Sequence, residues 1–296
     1  GPANWQVLPN VSVVGGARYD WISYDFDNQL TPSRVTGAPD EKRNFKKASP
    51  QLGVVWNITP KMDVYSNWSQ GFVPPEVSSL YGANLVTPDL DAATFNNIDA
   101  GLRFKLLDDR LDGEITVYRL QGKDEVISYT KADNTREPRN AGKTLHQGIE
   151  IGGTWKISDA YDQRVKVSGS IAQHEYEEFQ PSPVLNYSAN TMPSSPKSFG
   201  TIEYQIKPIP ELLLSAEGVY VGSYWINDAN TEKYNGHTLL NLRANYRNNG
   251  YEVFGQILNA TDVHYAESTS FSNNQVSYTP AAPRTYLLGL RYHFGK

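Results

Sequence analysis

Apolar and polar residues alternate with a period of two along most of this chain. The pattern is cleanest near the end, where Tyr286, Leu288, Leu290, Tyr292 and Phe294 fall on one face. Thr285, Leu287, Gly289, Arg291 and His293 fall on the other. Leu240, Leu242, Ala244 and Tyr246 oppose Asn241, Arg243 and Asn245; Ile98, Ala100, Leu102 and Phe104 oppose Asn97, Asp99, Gly101 and Arg103. Ile149, Ile151, Gly153, Trp155 and Ile157 oppose Gly148, Glu150, Gly152, Thr154 and Lys156. Near the start, Val11, Val13, Gly15, Ala17, Tyr19 and Trp21 oppose Ser12, Val14, Gly16, Arg18 and Asp20. Strands with lipid on one side and water on the other alternate for about ten residues and then turn. Aromatic residues gather toward the ends of the apolar faces, as an interfacial girdle requires. Segments 63–72 and 250–260 do not assign to faces by this rule.

The pattern predicts about twelve antiparallel strands, near 10–25, 47–58, 62–72, 94–107, 110–130, 143–157, 163–176, 196–206, 211–225, 236–248, 250–261 and 283–294. No helix of the right period and capping falls between them. Short turns at Thr59-Pro60-Lys61, Asp108-Asp109, Ser158-Asp159, Pro208-Ile209-Pro210 and Asn248-Asn249-Gly250 take turns with long polar loops. The loops cover 26–46, 73–93, 131–142, 177–195, 226–236 and 262–282. Outer-membrane barrels show this asymmetry, with tight periplasmic turns and long extracellular loops. On that reading the chain enters from the periplasmic side and its C-terminus returns there. The expected fold is therefore an all-β, transmembrane antiparallel β-barrel. A soluble jelly roll or tandem sandwich would bury the apolar faces in a core, and the charges opposite them are too many for a dry interior.

Composition narrows the chemistry. The 296 residues carry a net charge of −5 and include 19 Tyr, 10 Phe, 6 Trp and no Cys. Tyr and Trp concentrate where a ring is apolar at one end and wet at the other. With no Cys there is no disulfide, thiolate metal site or Cys nucleophile. Mild acidity gives no reason to expect nucleic acid. No apolar run is long enough for a membrane helix; the stretch from Glu211 to Trp225 is broken by Ser215, Glu217 and Gly218. No charged-apolar-small leader opens the chain. His146, His174, His237, His264 and His293 are scattered, without a His-Glu-x-x-His pattern or paired spacing for zinc. No Gly-x-Ser-x-Gly elbow appears, so no enzyme is expected. Asp124-Glu125 and Glu177-Glu178 approach loops and could help hold a divalent ion, although solvated carboxylates explain them as well.

Five local sequences, in order, resemble those of TonB-dependent outer-membrane receptors of the siderophore-receptor type. They are Val64–Phe72 followed by Pro74-Pro75, then Thr87-Pro88-Asp89-Leu90, then Asn140-Ala141-Gly142 with His146–Glu150, then Ile257–Asp262, and finally Pro283-Arg284 through Phe294. Gly295 and Lys296 follow the terminal aromatic, which family members often leave last. The resemblance implies that residues 1–296 are the C-terminal portion of such a barrel, about the last 12 of 22 strands, with the plug domain absent from this chain. It implies a Gram-negative outer-membrane location and partners in outer-membrane lipid, lipopolysaccharide, the N-terminal plug domain, the TonB complex and a small-molecule ligand. The implied function is active uptake of a ferric siderophore or similar metal complex, with no intrinsic cofactor and an iron chelate as the transported ligand. Haem, cobalamin, a copper complex or a glycan are alternative cargoes, and a passive porin-like channel, complete in about twelve strands, is the alternative mechanism.

Candidate site residues follow from position. Basic groups in loop 26–46 (Arg34, Lys42, Arg43, Lys46) and loop 131–142 (Lys131, Arg136, Arg139) would concentrate an anionic complex, or else bind lipopolysaccharide phosphates or water. Phe72, Tyr81, Trp225, Tyr265, Phe271 and Tyr278 at strand tops could stack on a catecholate or porphyrin, the plainer alternative being girdle packing. Arg18, Asp20, Asp99, Arg103, Glu150, Arg243 and Arg291 are expected to line the lumen. Phe294 is the expected assembly signal, and no metal site is expected.

Overall fold

The structure, a computed structural model, describes residues 2–33, 35–81 and 87–294. In chain order the strands are β1 (Ala3–Leu8), β2 (Val11–Phe26), β3 (Glu41–Thr59), β4 (Met62–Val73), β5 (Ala93–Leu106), β6 (Leu111–Thr130), β7 (Arg136–Ser158), β8 (Gln163–Glu178) and β9 (Ser198–Ile209). They continue as β10 (Leu212–Val221), β11 (Tyr224–Trp225), β12 (Lys233–Tyr234), β13 (His237–Asn248), β14 (Tyr251–Leu258), β15 (Ala266–Ser272), β16 (Gln275–Pro280) and β17 (Thr285–Tyr292). Thirteen of them form one sheet in the order β1-β2-β3-β4-β5-β6-β7-β8-β9-β10-β13-β14-β17. Every pairing is antiparallel between successive members. β11–β12 and β15–β16 are separate hairpins in the loops. A single helical turn, α1 (Val77–Leu80), lies between β4 and β5. Among the described residues β1 and β17 each pair on one side only, so the sheet is not closed by its own ends.

All twelve predicted strands are present, with three corrections. β1 precedes the first of them, joined to β2 by a turn at Pro9-Asn10. It therefore runs down toward the tight-turn side, and the chain does not begin there as expected. Loop 131–142 is mostly strand, because β6 and β7 continue as a hairpin with Thr130 opposite Arg136. The predicted strand 211–225 stops at Val221, and Trp225 belongs to the β11–β12 hairpin.

The two faces differ as lipid and water would demand. Apolar side chains of alternate residues stand out exposed: Ile171 is 71% and Leu288 84% accessible. Exposed aromatics band this face at two levels, Trp56, Trp155, Tyr204, Tyr246 and Tyr292 toward the tight turns and Tyr19, Trp21, Trp68, Tyr220 and Tyr286 toward the long loops. Carboxylates of the opposite face are crowded, with side-chain exposures of 20% at Glu203, 21% at Glu217 and 5% at Glu252. Crowding on the polar side and exposure on the apolar side place the polar side inside the curve. The small buried cluster sits on that side too, at the long-loop end, and consists of Phe45, Leu80, Tyr81 and Leu90.

Turn chemistry explains the tight connections. Asn249 (φ 46°) and Gly250 (φ 83°) form the two-residue hairpin between β13 and β14, with Asn248 opposite Tyr251. Positive φ at both central residues is the type I′ condition that Asn-Gly meets at least cost. The β5–β6 turn uses Leu107, Asp108 and Asp109, all at positive φ without a glycine. At Gly101 the constraint is packing: a Cβ there would lie 2.4 Å from the Tyr65 ring, which crosses the glycine.

Candidate ligand-binding face

A continuous polar lattice covers the concave face. Tyr65 donates to Glu114 at 2.6 Å and meets the Thr116 hydroxyl at 2.8 Å. Asn67 donates to Asp99 at 2.8 Å, and Arg103 grips Asp63 at 2.6 Å. Lys166 approaches Glu203 at 3.9 Å, while Arg243 bonds Glu217 at 2.7 Å. Nearest the tight turns, Glu252 accepts from Asn245 at 2.7 Å and from Arg247 at 3.0 Å. Its other oxygen lies 3.3 Å from Arg291 and 3.4 Å from His293. Period-two spacing puts these groups on one side of adjacent strands, and charge-assisted bonds then order them.

The outer end of the concave face is built up by segments 74–81 and 87–92. The Tyr81 ring stacks on Phe26, centroids 4.5 Å apart and planes within 6°. Ile22, Tyr24, Phe26, Ala92 and Val126 pack around the buried cluster. Burial pushes the Tyr81 hydroxyl pKa up. At the first residue of β3, the nearby Thr87 hydroxyl and then Arg43 outweigh burial and hold the Glu41 carboxylate below its usual range. Asn140 ties the segment to β7: it accepts from the Asp91 amide at 2.7 Å and donates to the Asp91 and Asp124 carbonyls at 2.9 and 2.6 Å.

A second group of side chains joins the loops beyond β8, β10 and β14. Tyr176 donates to Asp228 at 2.8 Å, and Asn190 donates to the Asp228 carbonyl at 2.7 Å. Tyr224 and Tyr234 rings lie 5.1 Å apart, and the Tyr234 hydroxyl meets His237 Nδ1 at 2.9 Å. His237 packs on Tyr265 at 4.4 Å. Thr269 of β15 donates to the Tyr224 hydroxyl at 3.3 Å. Tyrosines here are both packing surface and polar contact, which suits a wet cleft.

The structure scatters some of the predicted ligand-contacting residues and gathers others. Tyr81 is in the buried cluster. Phe72 alternates with Trp68 in an unbroken register, so it shares the apolar face instead. Arg136 lines a shallow open pocket together with Ser78 and Ser79 of α1. Arg139 stacks on Tyr129 at 3.7 Å and bonds Glu137, whose pKa is lowered by Lys131 and then Arg139. Trp225 meets Lys233 at 5.6 Å, Tyr265 joins the His237 group, and Phe271 and Tyr278 are on β15 and β16. Several of the cations expected on loops are neutralised locally: Lys42 and Arg43, which belong to β3 and not to a loop, by Asp25 at 3.1 Å and Glu41 at 2.9 Å, and Lys131 by Glu137. Lys46 stacks on Trp21 at 4.6 Å. These partners leave less field to steer an anion than the sequence suggested. Arg34, Gly295 and Lys296 lie outside the described residues.

Arg18, Asp20, Asp99, Arg103, Glu150, Arg243 and Arg291 all fall on the polar face, Arg18 bonding Asp20 at 2.8 Å. Sequence reasoning missed the pairing of His146 with His174. They are directly opposed on β7 and β8, with Nδ1 atoms 2.7 Å apart. Local spacing could not show it, but the hairpin could: Lys156 faces Arg164, and ten residues up each arm from there stand the two histidines.

Comparison with known proteins agrees with this architecture. The family described as "TonB dependent receptor-like, beta-barrel" matches residues 1–260. The probable TonB-dependent siderophore receptor PiuA of Acinetobacter baumannii is 21% identical over 302 aligned positions, covering 98% of this chain and 39% of the relative. The metal-pseudopaline receptor CntO of Pseudomonas aeruginosa is 22% identical over 285, covering 94% and 38%. The crystal structure of the siderophore receptor PiuA from A. baumannii superposes with a TM-score of 0.77 at 19% identity, over 98% of this chain and 42% of that one. The chain thus spans about two fifths of the length of the curated relatives it matches.

Proposed function

We propose, from the premise that the chain belongs to the TonB-dependent receptor-like β-barrel family, that the whole protein imports a ferric siderophore or similar metal complex. The chain is an outer-membrane β-barrel portion, and the family is one of receptors and transporters rather than enzymes. Residues 1–296 would be the C-terminal portion of the barrel, with a plug domain and the TonB complex as partners supplied from outside it. Lipid and lipopolysaccharide would cover the apolar face. The barrel would need no cofactor of its own, the metal arriving as cargo.

One observation carries the reading. A polar lattice on the concave face leads up to a mouth furnished with tyrosines, histidines and Arg136, opposite an exposed apolar band. Polar groups that bond one another across the sheet can exchange partners with a plug or a hydrated solute, which a dry core could not do. The names of PiuA and CntO point to metal complexes, and the tyrosine-rich mouth offers the flat and hydrogen-bonding surfaces that such chelates need. Among the described residues β1 and β17 each pair on one side only, and open strand edges are not stable in hydrocarbon, which favours the importer reading over a passive channel.

Deletion of the complete gene, followed by uptake assays with radiolabelled ferric chelates under iron limitation, tests the proposal. Loss of uptake of at least one chelate, restored by the gene and abolished by de-energising the inner membrane, is expected. Unchanged uptake of every chelate, or uptake that ignores the energy source, would overturn it.

A further inference from the structure

We infer that His146 and His174 form a two-imidazole contact that binds a transition-metal ion directly, completing the coordination of a metal that arrives with part of its shell open. The inference rests on the proposed uptake of metal complexes but concerns a separate property, inner-sphere contact with the metal.

The geometry comes from register. His146 and His174 are direct cross-strand partners on the polar face, so both imidazoles project to the same side. Their Nδ1 atoms are 2.7 Å apart and their ring centroids 5.0 Å apart at 58°. Both side chains are half-buried, which leaves a solute in the lumen able to reach them. On the opposite side of these strands Arg119, Gln147 and Gln173 have replaced the apolar row of Val117, Ile149 and Ile171, so the pair stands above the lipid-facing band. Imidazole nitrogens bind zinc-like ions at about 2.0–2.1 Å, and two adjacent donors at right angles on such an ion stand about 2.9 Å apart. A separation of 2.7 Å reaches that value with a shift of about 0.2 Å.

Burial keeps a proton off both rings, which leaves the neutral imidazoles a metal needs, and a carboxylate stands nearby. Glu125 is close enough for its charge to act on His146, and its carboxylate is held by Thr144. Tyr176, next on the same face of β8, is bonded to Asp228. In the metal-free pair one ring donates its Nδ1 hydrogen to the other. Metal binding requires both Nδ1 lone pairs, so the donor ring carries its hydrogen on Nε2 instead, with no net change in protonation. Among the described residues no group of three or more His, Cys, Asp or Glu is gathered for a metal. Two protein donors are too few for a structural ion but suit a cargo that keeps its own chelator.

The test uses the complete, untagged receptor in detergent and the nickel complex of nitrilotriacetate, which leaves two adjacent coordination positions open. Calorimetric titration is expected to show one complex bound per chain. His174→Asn and His146→Asn should each weaken it by more than about tenfold, the scale on which losing even an outer-sphere partner acts. His264→Ala, in a loop, should change nothing. A measurement on the unsubstituted protein guards against misfolded variants: pulsed EPR with copper iminodiacetate should count two coupled imidazoles. Absence of binding, a single imidazole, or binding indifferent to both substitutions in correctly folded receptor would overturn the inference. Chelate uptake that persists without nickel binding would refute the histidine contact alone, whereas binding without uptake would refute the transport reading alone.

Discussion

Glu252 shows how a single residue closes the tight-turn end of the concave face. Its side chain is 5% exposed, yet its two oxygens face Asn245 and Arg247 of β13, Arg291 of β17 and His293, the residue after β17. Sequence alternation placed Arg291 on the polar side but gave no hint of its partner, because ion pairs across a sheet depend on register. The same gap hid His146 and His174, whose meeting depends on the length of a turn. Hydrogen bonds to charged groups are worth about 1.5–3 kcal/mol, and the cationic partners here are largely exposed, so screening reduces the sum. Glu252→Ala should therefore lower the barrel's unfolding free energy by about 2 kcal/mol in urea titrations in detergent. Glu252→Gln, which keeps the acceptor oxygen, should cost less. A variant as stable as the parent would mean that the cluster is decorative.

At the scale of elements, legibility tracks the lipid. Where one face meets hydrocarbon, alternation is enforced and most of the sheet's strands can be read from it, whereas β4 and β14 show as segments between turns without a clean face. Beyond the band both faces are wet and the constraint lapses. The tops of β6 and β7, with Arg136, Glu137 and Arg139, read as a polar loop although they pair as far as Thr130 and Arg136. β1 escaped for another reason: six residues between two prolines give too few alternations. The segment leading into β5 is likewise unreadable by period, and contacts such as that of Asn140 fix it. In Asn140→Ala the Asp91 amide loses an acceptor at 2.7 Å and two carbonyls lose a donor. The expected cost is about 1 kcal/mol, seen as faster hydrogen exchange at the Asp91 amide while amides of the central β6–β7 ladder keep their rates. Uniform acceleration across the sheet would instead indicate global destabilisation.

For the whole molecule the decisive question is which side of the sheet meets lipid, since an importer and a soluble sandwich would place the same alternation differently. Ile171 and Ser170 are neighbours in β8 and point to opposite sides. Ile171, 71% exposed, stands opposite Ile149 in the apolar band; Ser170 stands opposite Glu150 on the polar face. A cation on the lipid face costs about 2–4 kcal/mol at mid-membrane and about 0–1 kcal/mol near the interfaces. In the uppermost apolar row, where Ile171 stands, about 1–2 kcal/mol is therefore expected. A surface-like substitution beside water and a carboxylate stays within about 0.5 kcal/mol. Ile171→Lys should thus lower the folding free energy of the complete barrel in lipid vesicles by the larger amount and reduce its insertion. Ser170→Lys, one residue away, should insert normally. If the two effects were reversed, the apolar side would be facing protein or water, and the concave polar lattice could not be the wall of a transport path.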